Sequence, residues 1–404
     1  MFNFLVYLWR SALEVFEGDW RYFAWTLLLA LLSLIGLNAY CKQFVHGLVT
    51  TGMTDQVSWG LYIANFTFLV GMAAAAVMLV IPVYIYKDET LHDVVIFGEL
   101  LAIAAIIMCL LFVTVDLGRP ERFWHMVPII GKLNWPGSML SWDVIVLNGY
   151  LLLNIYICAY LVYMKYLGRE PIKLLYLPFV FTAIVWAISI HTVTAFLYVG
   201  LGGRPFWNSA IVAPRFLASA FTSGPGFIVL TLQLIRRFTD YYVSDEALLR
   251  LRSIIQVSMV LNVFLFICEV FKEFYIETQH VASAKYLFFG LHGHHGLAPW
   301  IWTALAMNLT ALFLLILPVS RGLKYLNIAC VLAIGGIWIE KGMGLVIPAF
   351  IPTQLGEIVE YLPTLNETLI CIGIWAFGLL LYTLLLKMVI PVLKGRLRFS
   401  KVMP

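Results

Sequence analysis

Ten stretches of this chain are apolar for about 19 residues or more, the length needed to cross the hydrocarbon of a bilayer, and little sequence lies between them. They run roughly over 22–40, 59–86, 92–116, 141–166, 173–201, 208–238, 248–277, 297–318, 323–351 and 365–390. Backbone groups in lipid find no water, so each stretch must satisfy its own hydrogen bonds, and the helix does this within one segment. The expected fold is an all-α integral membrane protein of about ten transmembrane helices. With no linker, repeat or soluble module, residues 1–404 are expected to form a single polytopic membrane domain. Only 12% of the residues are charged, about half the share in a soluble domain, so the lipid bilayer is the first expected partner. The net charge of +4 is small and its basic residues lie in loops, which gives no footprint for nucleic acid. Arg10, Glu14, Glu17 and Asp19 interrupt the first 20 residues, so no cleavable signal peptide is expected.

Basic residues orient membrane chains by collecting on the cytoplasmic side. With the N-terminus inside, seventeen of the 26 Lys and Arg fall in inside segments, including Arg321 and Lys401. Seven fall outside, and Arg215 and Lys341 lie within spans. The expected location is the cytoplasmic (inner) membrane, multi-pass, with both termini cytoplasmic. The long loops 41–58, 117–140, 278–296 and 352–364 then face outward, where elaborate loops favour a protein partner.

Charged side chains cost roughly 2.5–3.5 kcal/mol at a helix centre on insertion scales, so those inside spans are candidate functional groups. Glu99 and Asp116 lie in the third span, Asp143 at the start of the fourth, His191 in the fifth and Arg215 in the sixth. Glu269, Lys272 and Glu273 lie near the end of the seventh, and Glu340 with Lys341 in the ninth. At 1.5 Å per residue, His191 is about 15 Å, Glu269 about 12 Å and Arg215 about 10 Å from the outward ends of their helices. Glu99 alone lies in the inner half. Each has an ordinary structural reading. Arg215 can pair with an acid to hold helices together, Asp116 and Asp143 can anchor helix ends, His191 can be a satisfied core residue, and Lys341 can snorkel. Several such groups at one depth favour a polar cavity.

No cofactor is expected in the chain itself. The six cysteines read as small buried hydrophobes, and without C-x-x-C they give an iron–sulfur cluster no local ligand set. A bis-histidine haem needs two intramembrane histidines, and only His191 is clearly one; His280 and the run from His292 to His295 lie in an outward loop.

Several motifs carry a resemblance. Trp59-Gly-Leu-Tyr-Ile-Ala-Asn-Phe-Thr-Phe-Leu-Val-Gly71, Asp116-Leu-Gly-Arg-Pro-Glu-Arg-Phe-Trp124, the run from Trp207 to Gly224, and the run from Trp338 to Pro352 together resemble the NrfD/PsrC family of quinone-interacting membrane subunits. They are most similar to its ten-helix branch, which includes the DsrP-type subunits of DsrMKJOP complexes. The resemblance implies two four-helix bundles plus two extra helices. It implies a menaquinone site near the outward face, beside a ferredoxin-like iron–sulfur subunit, in sulfur metabolism. It also implies a multihaem cytochrome c and a membrane cytochrome b with a cytoplasmic iron–sulfur catalytic subunit. Asn65 would take the part of the family's quinone-facing asparagine, while no histidine stands on that helix for its usual companion.

The expected quinone pocket joins Asn65, Tyr62, Phe66, Asp143 and Trp142. Asp116, His191 and Arg215 would do the proton and polarising work, and Glu99, Glu269 and Glu340 would carry protons. A proton- or ion-translocating subunit without quinone, or a structural anchor for redox partners, are the alternatives. The orientation is checked with reporter fusions. A phosphatase inserted within 117–140 should be active and a fluorescent protein after residue 404 should fluoresce; the opposite pattern overturns the assignment.

Overall fold

The computed structural model describes residues 2–92, 94–276, 281–318 and 322–399. His280, Arg321 and Lys401 lie outside them. Twelve helical elements position the sites. A surface helix, α1 (Phe2–Leu13), precedes the first span, α2 (Trp20–His46). Then follow α3 (Leu61–Ile85), α4 (Val95–Asp116), α5 (Met139–Tyr166), α6 (Lys173–Val199), α7 (Val212–Phe238) and α8 (Asp245–Ile276). A short helix α9 (Val281–Phe289) leads to α10 (Ala298–Ile316), α11 (Leu323–Phe350) and α12 (Leu365–Leu393). Ten of these are long and apolar enough to cross a membrane.

Two of these helices differ from the expected spans in informative ways. The first span continues to His46 and stops where Gly47 turns left-handed at φ 82°, a conformation that costs glycine nothing. The sixth begins at Val212 rather than 208, because residues 205–207 form a separate 3₁₀ turn. Arg215 therefore sits in the first turn of α7, nearer the helix start than its run of apolar neighbours implies.

Helices α3, α4, α5 and α6 pack in a closed ring, and α7, α8, α10 and α11 form a second. The rings meet where α3 lies against α7 and α11. Outside the first ring, α12 packs on α4, α5 and α2. Helices α3 and α11, which face each other, are the irregular ones. The first is broken by a 3₁₀ turn at Ala74–Ala76 and a π turn at Ile81–Ile85, the second by a π turn at Trp338–Met343. Wide turns inside spans survive only where neighbouring protein shields the backbone, and 340–351 are buried throughout.

The ten spans among the described residues bring α1 and the segment after α12 to one face. There the Arg396 guanidinium meets the Glu14 carboxylate at 2.5 Å, and Phe399 N–H donates to the Tyr166 carbonyl. This basic face is compact. The opposite, wide face carries 47–60, 117–138, 200–211, 281–297 and 351–364.

Of the cysteines, Cys109, Cys158, Cys330 and Cys371 are buried as expected. Cys41 is exposed on α2 and Cys268 half-buried on α8, because the flanks of those helices face the surroundings rather than protein.

Where α2 crosses α12, the two backbones touch. A Cβ added to Gly36 would lie 2.5 Å from the Gly373 Cα. Close approach of this kind is how spans gain dispersion contacts without help from the hydrophobic effect. Gly36→Leu is expected to remove about 2 kcal/mol through overpacking, read as a lower Tm in detergent. Leu37→Ala, on the exposed flank, should change little; equal effects would mean the glycine contact is not specific.

Candidate functional site

The second ring closes on a charged centre to which each of its four helices contributes one residue. Arg215 on α7 pairs with Glu269 on α8, and its other terminal nitrogen meets Glu340 Oε1 on α11 at 2.7 Å. Asn308 on α10 donates to Glu340 Oε2 at 2.7 Å. All four are buried. A cation in the first turn of a helix faces the positive end of the helix dipole, so two carboxylates are well suited to holding Arg215 there. Its guanidinium also lies 4.9 Å from the centre of the Phe266 ring. Glu269 and Glu340, read from the sequence as separate stations, are thus the two arms of one ion pair.

The π turn of α11 sets the next residue on the boundary between the rings. Lys341 is 3% exposed and does not snorkel. Its ammonium lies 3.9 Å from Glu340 Oε1 and over the Phe216 ring, and makes no hydrogen bond. It lines a cavity of about 10 Å³ together with Thr67, His191, Ser219 and Ser223. His191 Nδ1 lies 3.1 Å from the Ala187 carbonyl, which can only accept, so Nδ1 carries hydrogen. The buried Nε2 has no partner. His191 and Lys341, 150 residues apart in sequence, therefore share one small polar space.

In the first ring, Asp143 accepts from the Thr194 hydroxyl at 3.0 Å. Tyr150, Asn154 and Cys158 continue along the same buried side of α5, and the Cys158 thiol donates to Glu99 Oε2 at 3.3 Å. Glu99 is thus part of this stripe and stands apart from Glu269 and Glu340.

The α3 residues serve a different contact. Asn65 Oδ1 accepts from both Trp338 Nε1, at 3.0 Å, and Trp375 Nε1, at 2.8 Å, while its amide donates to the Leu61 carbonyl. Tyr62 donates to Gln43 Oε1 at 2.6 Å, and the Gln43 amide reaches the Val115 carbonyl, also at 2.6 Å. Phe66 is packed in the core. Next to Val115, Asp116 holds a buried Oδ1 with no hydrogen-bond partner. Trp142 stands at the edge, half-buried, with its indole N–H on the Pro136 carbonyl. Among the described residues no hydrogen bond, ion pair or shared cavity joins Asp116 to His191 or Arg215. The expected single pocket resolves into three buried polar centres.

Residues the sequence reading passed over complete the wide face. Tyr361 accepts from Leu61 N–H at 2.8 Å and donates to Glu367, whose other oxygen accepts from Gly52 N–H at 3.0 Å. The signal was available, since Thr364-x-x-Glu367 is a capping pattern placing an acid at the start of a span. Nearby, Glu360 accepts from Gly296 N–H and Tyr286 and meets His294. Burial would raise its carboxyl, but these bonds outweigh that and hold it below the ordinary range. Exposed apolar residues stand on the same face: Phe123, Ile129, Ile130, Trp135, Leu355 and Leu362.

The sequence profile of a family described as "Polysulphide reductase, NrfD" matches residues 49–351. The chain is 26% identical to a putative membrane subunit of dimethyl sulfoxide reductase from Halobacterium salinarum, over 88% of each chain. It is 25% identical to an Hdr-like menaquinol oxidoreductase integral membrane subunit of Archaeoglobus fulgidus, over 92% of this chain and 94% of that one. It is 23% identical to a selenate reductase subunit of Mesobacillus selenatarsenatis, over 89% and 92%.

Removing one partner from a buried ion pair costs roughly 3–5 kcal/mol, more than neutralising the whole group. Arg215→Met should therefore lower thermal stability in detergent strongly, and adding Glu269→Gln and Glu340→Gln should restore much of the loss. A triple variant no more stable than the single one would show that charge is not what these residues balance.

Proposed function

Since the chain belongs to the NrfD polysulphide reductase family, we propose that it is the quinone-reactive membrane subunit of a respiratory oxidoreductase complex. In this reading it exchanges electrons between menaquinone and an iron–sulfur partner on the outward side. Its relatives are named as subunits of reductases or of a menaquinol oxidoreductase, two of them as membrane subunits, which supports the class. The observation that carries the site is Asp116 Oδ1, a buried acceptor without a donor, at the wide-face end of α4. A quinol hydroxyl is a donor of the right kind. Orphaned buried acceptors are costly, so one beside the surface where a partner would sit is a candidate binding group.

A bound quinone supplies two-electron, two-proton redox chemistry. In this reading Asp116 holds or moves the proton at Oδ1. Tyr62 and Gln43 fix the end of α4 through Val115, and Asn65 and Phe66 form the packed wall behind. Trp142 borders the site from the membrane edge. Asp143 and His191 stand on α5 and α6, the first accepting from Thr194 and the second lining the small cavity with Lys341. The exposed apolar residues of the wide face form the docking surface for a ferredoxin-like iron–sulfur subunit, exposed patches of this kind being typical of such contacts. Similarity to the DsrP-type branch extends the reading to sulfur metabolism, with a multihaem cytochrome c and a membrane cytochrome b as further partners, in the inner membrane with both termini cytoplasmic.

One observation favours a second reading, proton translocation. A stripe from Asp143 through Tyr150, Asn154 and Cys158 ends at Glu99, and the space shared by His191 and Lys341 leads to Glu340, Arg215 and Glu269. Buried ionisable groups in series suit proton movement, with or without quinone chemistry.

The test is a fluorescence-quenching titration of the purified complex with a menaquinol analogue. Hydrogen bonds to charged groups contribute roughly 1.5–3 kcal/mol, so Asp116→Asn should weaken binding about tenfold or more. Absence of saturable binding by the intact complex would reject the quinone reading.

A further inference from the structure

A groove of about 380 Å³ opens on the outer flank of the second ring, between α8, α9 and α10. Its walls are apolar and largely aromatic, with Phe266 and Phe271 from α8, Phe288 from α9 and Trp302 from α10. Phe271 and Trp302 are 62% and 51% exposed, so the groove is open to the surrounding lipid. It lies within about 15 Å of the wide-face end of α8, counting from Phe266 to Ile276. The groove shares Phe266, Val270 and Phe288 with an inner cavity of about 20 Å³, bounded by Arg215, Glu269, Glu273 and Glu340. A space of that size holds about one water. Phe266 is the partition between them, carrying the Arg215 guanidinium on its ring.

Arg215 is 5% exposed, and its two terminal nitrogens are committed to Glu340 and Glu269. Its Nε is buried and has no hydrogen-bond partner. That leaves one unpartnered donor on a residue of the inner cavity, which Phe266 divides from the lipid-open groove. The charges around the cavity select what can satisfy it. Arg215 is already matched there by Glu269 and Glu340, and Lys272 meets Glu273 at 3.2 Å, so the anionic head of a phospholipid finds no unmatched cation in the cavity and a cation would compete with the arginine. A neutral carbonyl oxygen at the shared wall can be reached from Nε through the single water of the inner cavity without disturbing the pairs. A flat conjugated ring suits aromatic walls, and a long apolar tail suits an opening onto lipid.

We propose that this groove is a second binding site for a membrane-soluble, isoprenoid-tailed quinone, with a ring carbonyl turned toward Arg215 Nε. It is separate from the site at Asp116, and it rests on the reading that this chain binds quinone at all. Occupancy at the second ring would place a quinone beside the Arg215 centre without any electron transfer there.

The test is photolabelling of the intact complex with an azido-quinone, followed by peptide mapping. Labelling is expected on peptides spanning 266–274 and 298–305 as well as beside Asp116. Ile267→Trp fills the groove from its exposed side. It should reduce the α8 and α10 labelling tenfold or more and leave the labelling beside Asp116 unchanged. Labelling beside Asp116 alone would overturn the second site and leave the first standing; labelling at neither would overturn both. A phospholipid with an azido-acyl chain separates the remaining source. If it labels the groove and excess quinone fails to displace it, the groove is an ordinary lipid seat and the proposal falls.

Discussion

The arginine at the head of α7 sets the terms for half of this molecule. A guanidinium in a low-dielectric interior is tolerated only when its charge is matched at contact distance. Arg215 meets that condition through Glu269 and Glu340, and Asn308 occupies the oxygen that would otherwise face apolar side chains. One residue from each helix of the ring is thereby fixed in register. The π turn of α11 belongs to the same arrangement, because it buries Glu340 and Lys341 together although they are adjacent in sequence.

The spans were legible because lipid imposes length and apolarity on every crossing segment, and both are properties of the sequence read locally. The first ring's polar stripe on α5 was partly legible, through Asp143. The partners were not. Arg215 lies 54 positions from Glu269 and 125 from Glu340, and nothing in the local pattern of any of the three helices says which acid the arginine meets. Asn308 and Gln43 escaped notice because a neutral amide inside an apolar run carries no charge to draw attention, yet each closes a network. Lys341 was misjudged for a related reason. Snorkelling assumes a regular helix with a lipid-facing side, and the wide turn removes that assumption.

Asn65 shows how a motif and its contacts can be told apart. Its place on the first core helix suggested a ligand contact. In the fold both faces of its amide are committed, to two indoles from α11 and α12 and to its own helix. The asparagine joins three helices behind Asp116, and the free valence in that region belongs to the aspartate. A polar side chain in a membrane core is informative twice, by its presence and by whether anything remains for it to bind.

The pairing of α2 with α12 has a consequence for biogenesis. Helix α2 finds its packing surface almost wholly on α12, about 320 residues later in the chain. At roughly 5–20 residues per second of synthesis, the first span waits on the order of tens of seconds for its mate. During that interval its glycine-bearing side, built to meet another backbone, is held by lipid or by the insertion machinery. Completion of the helix packing therefore waits on the synthesis of α12, and a polypeptide truncated before α12 would remain recognisably unfinished to membrane quality control.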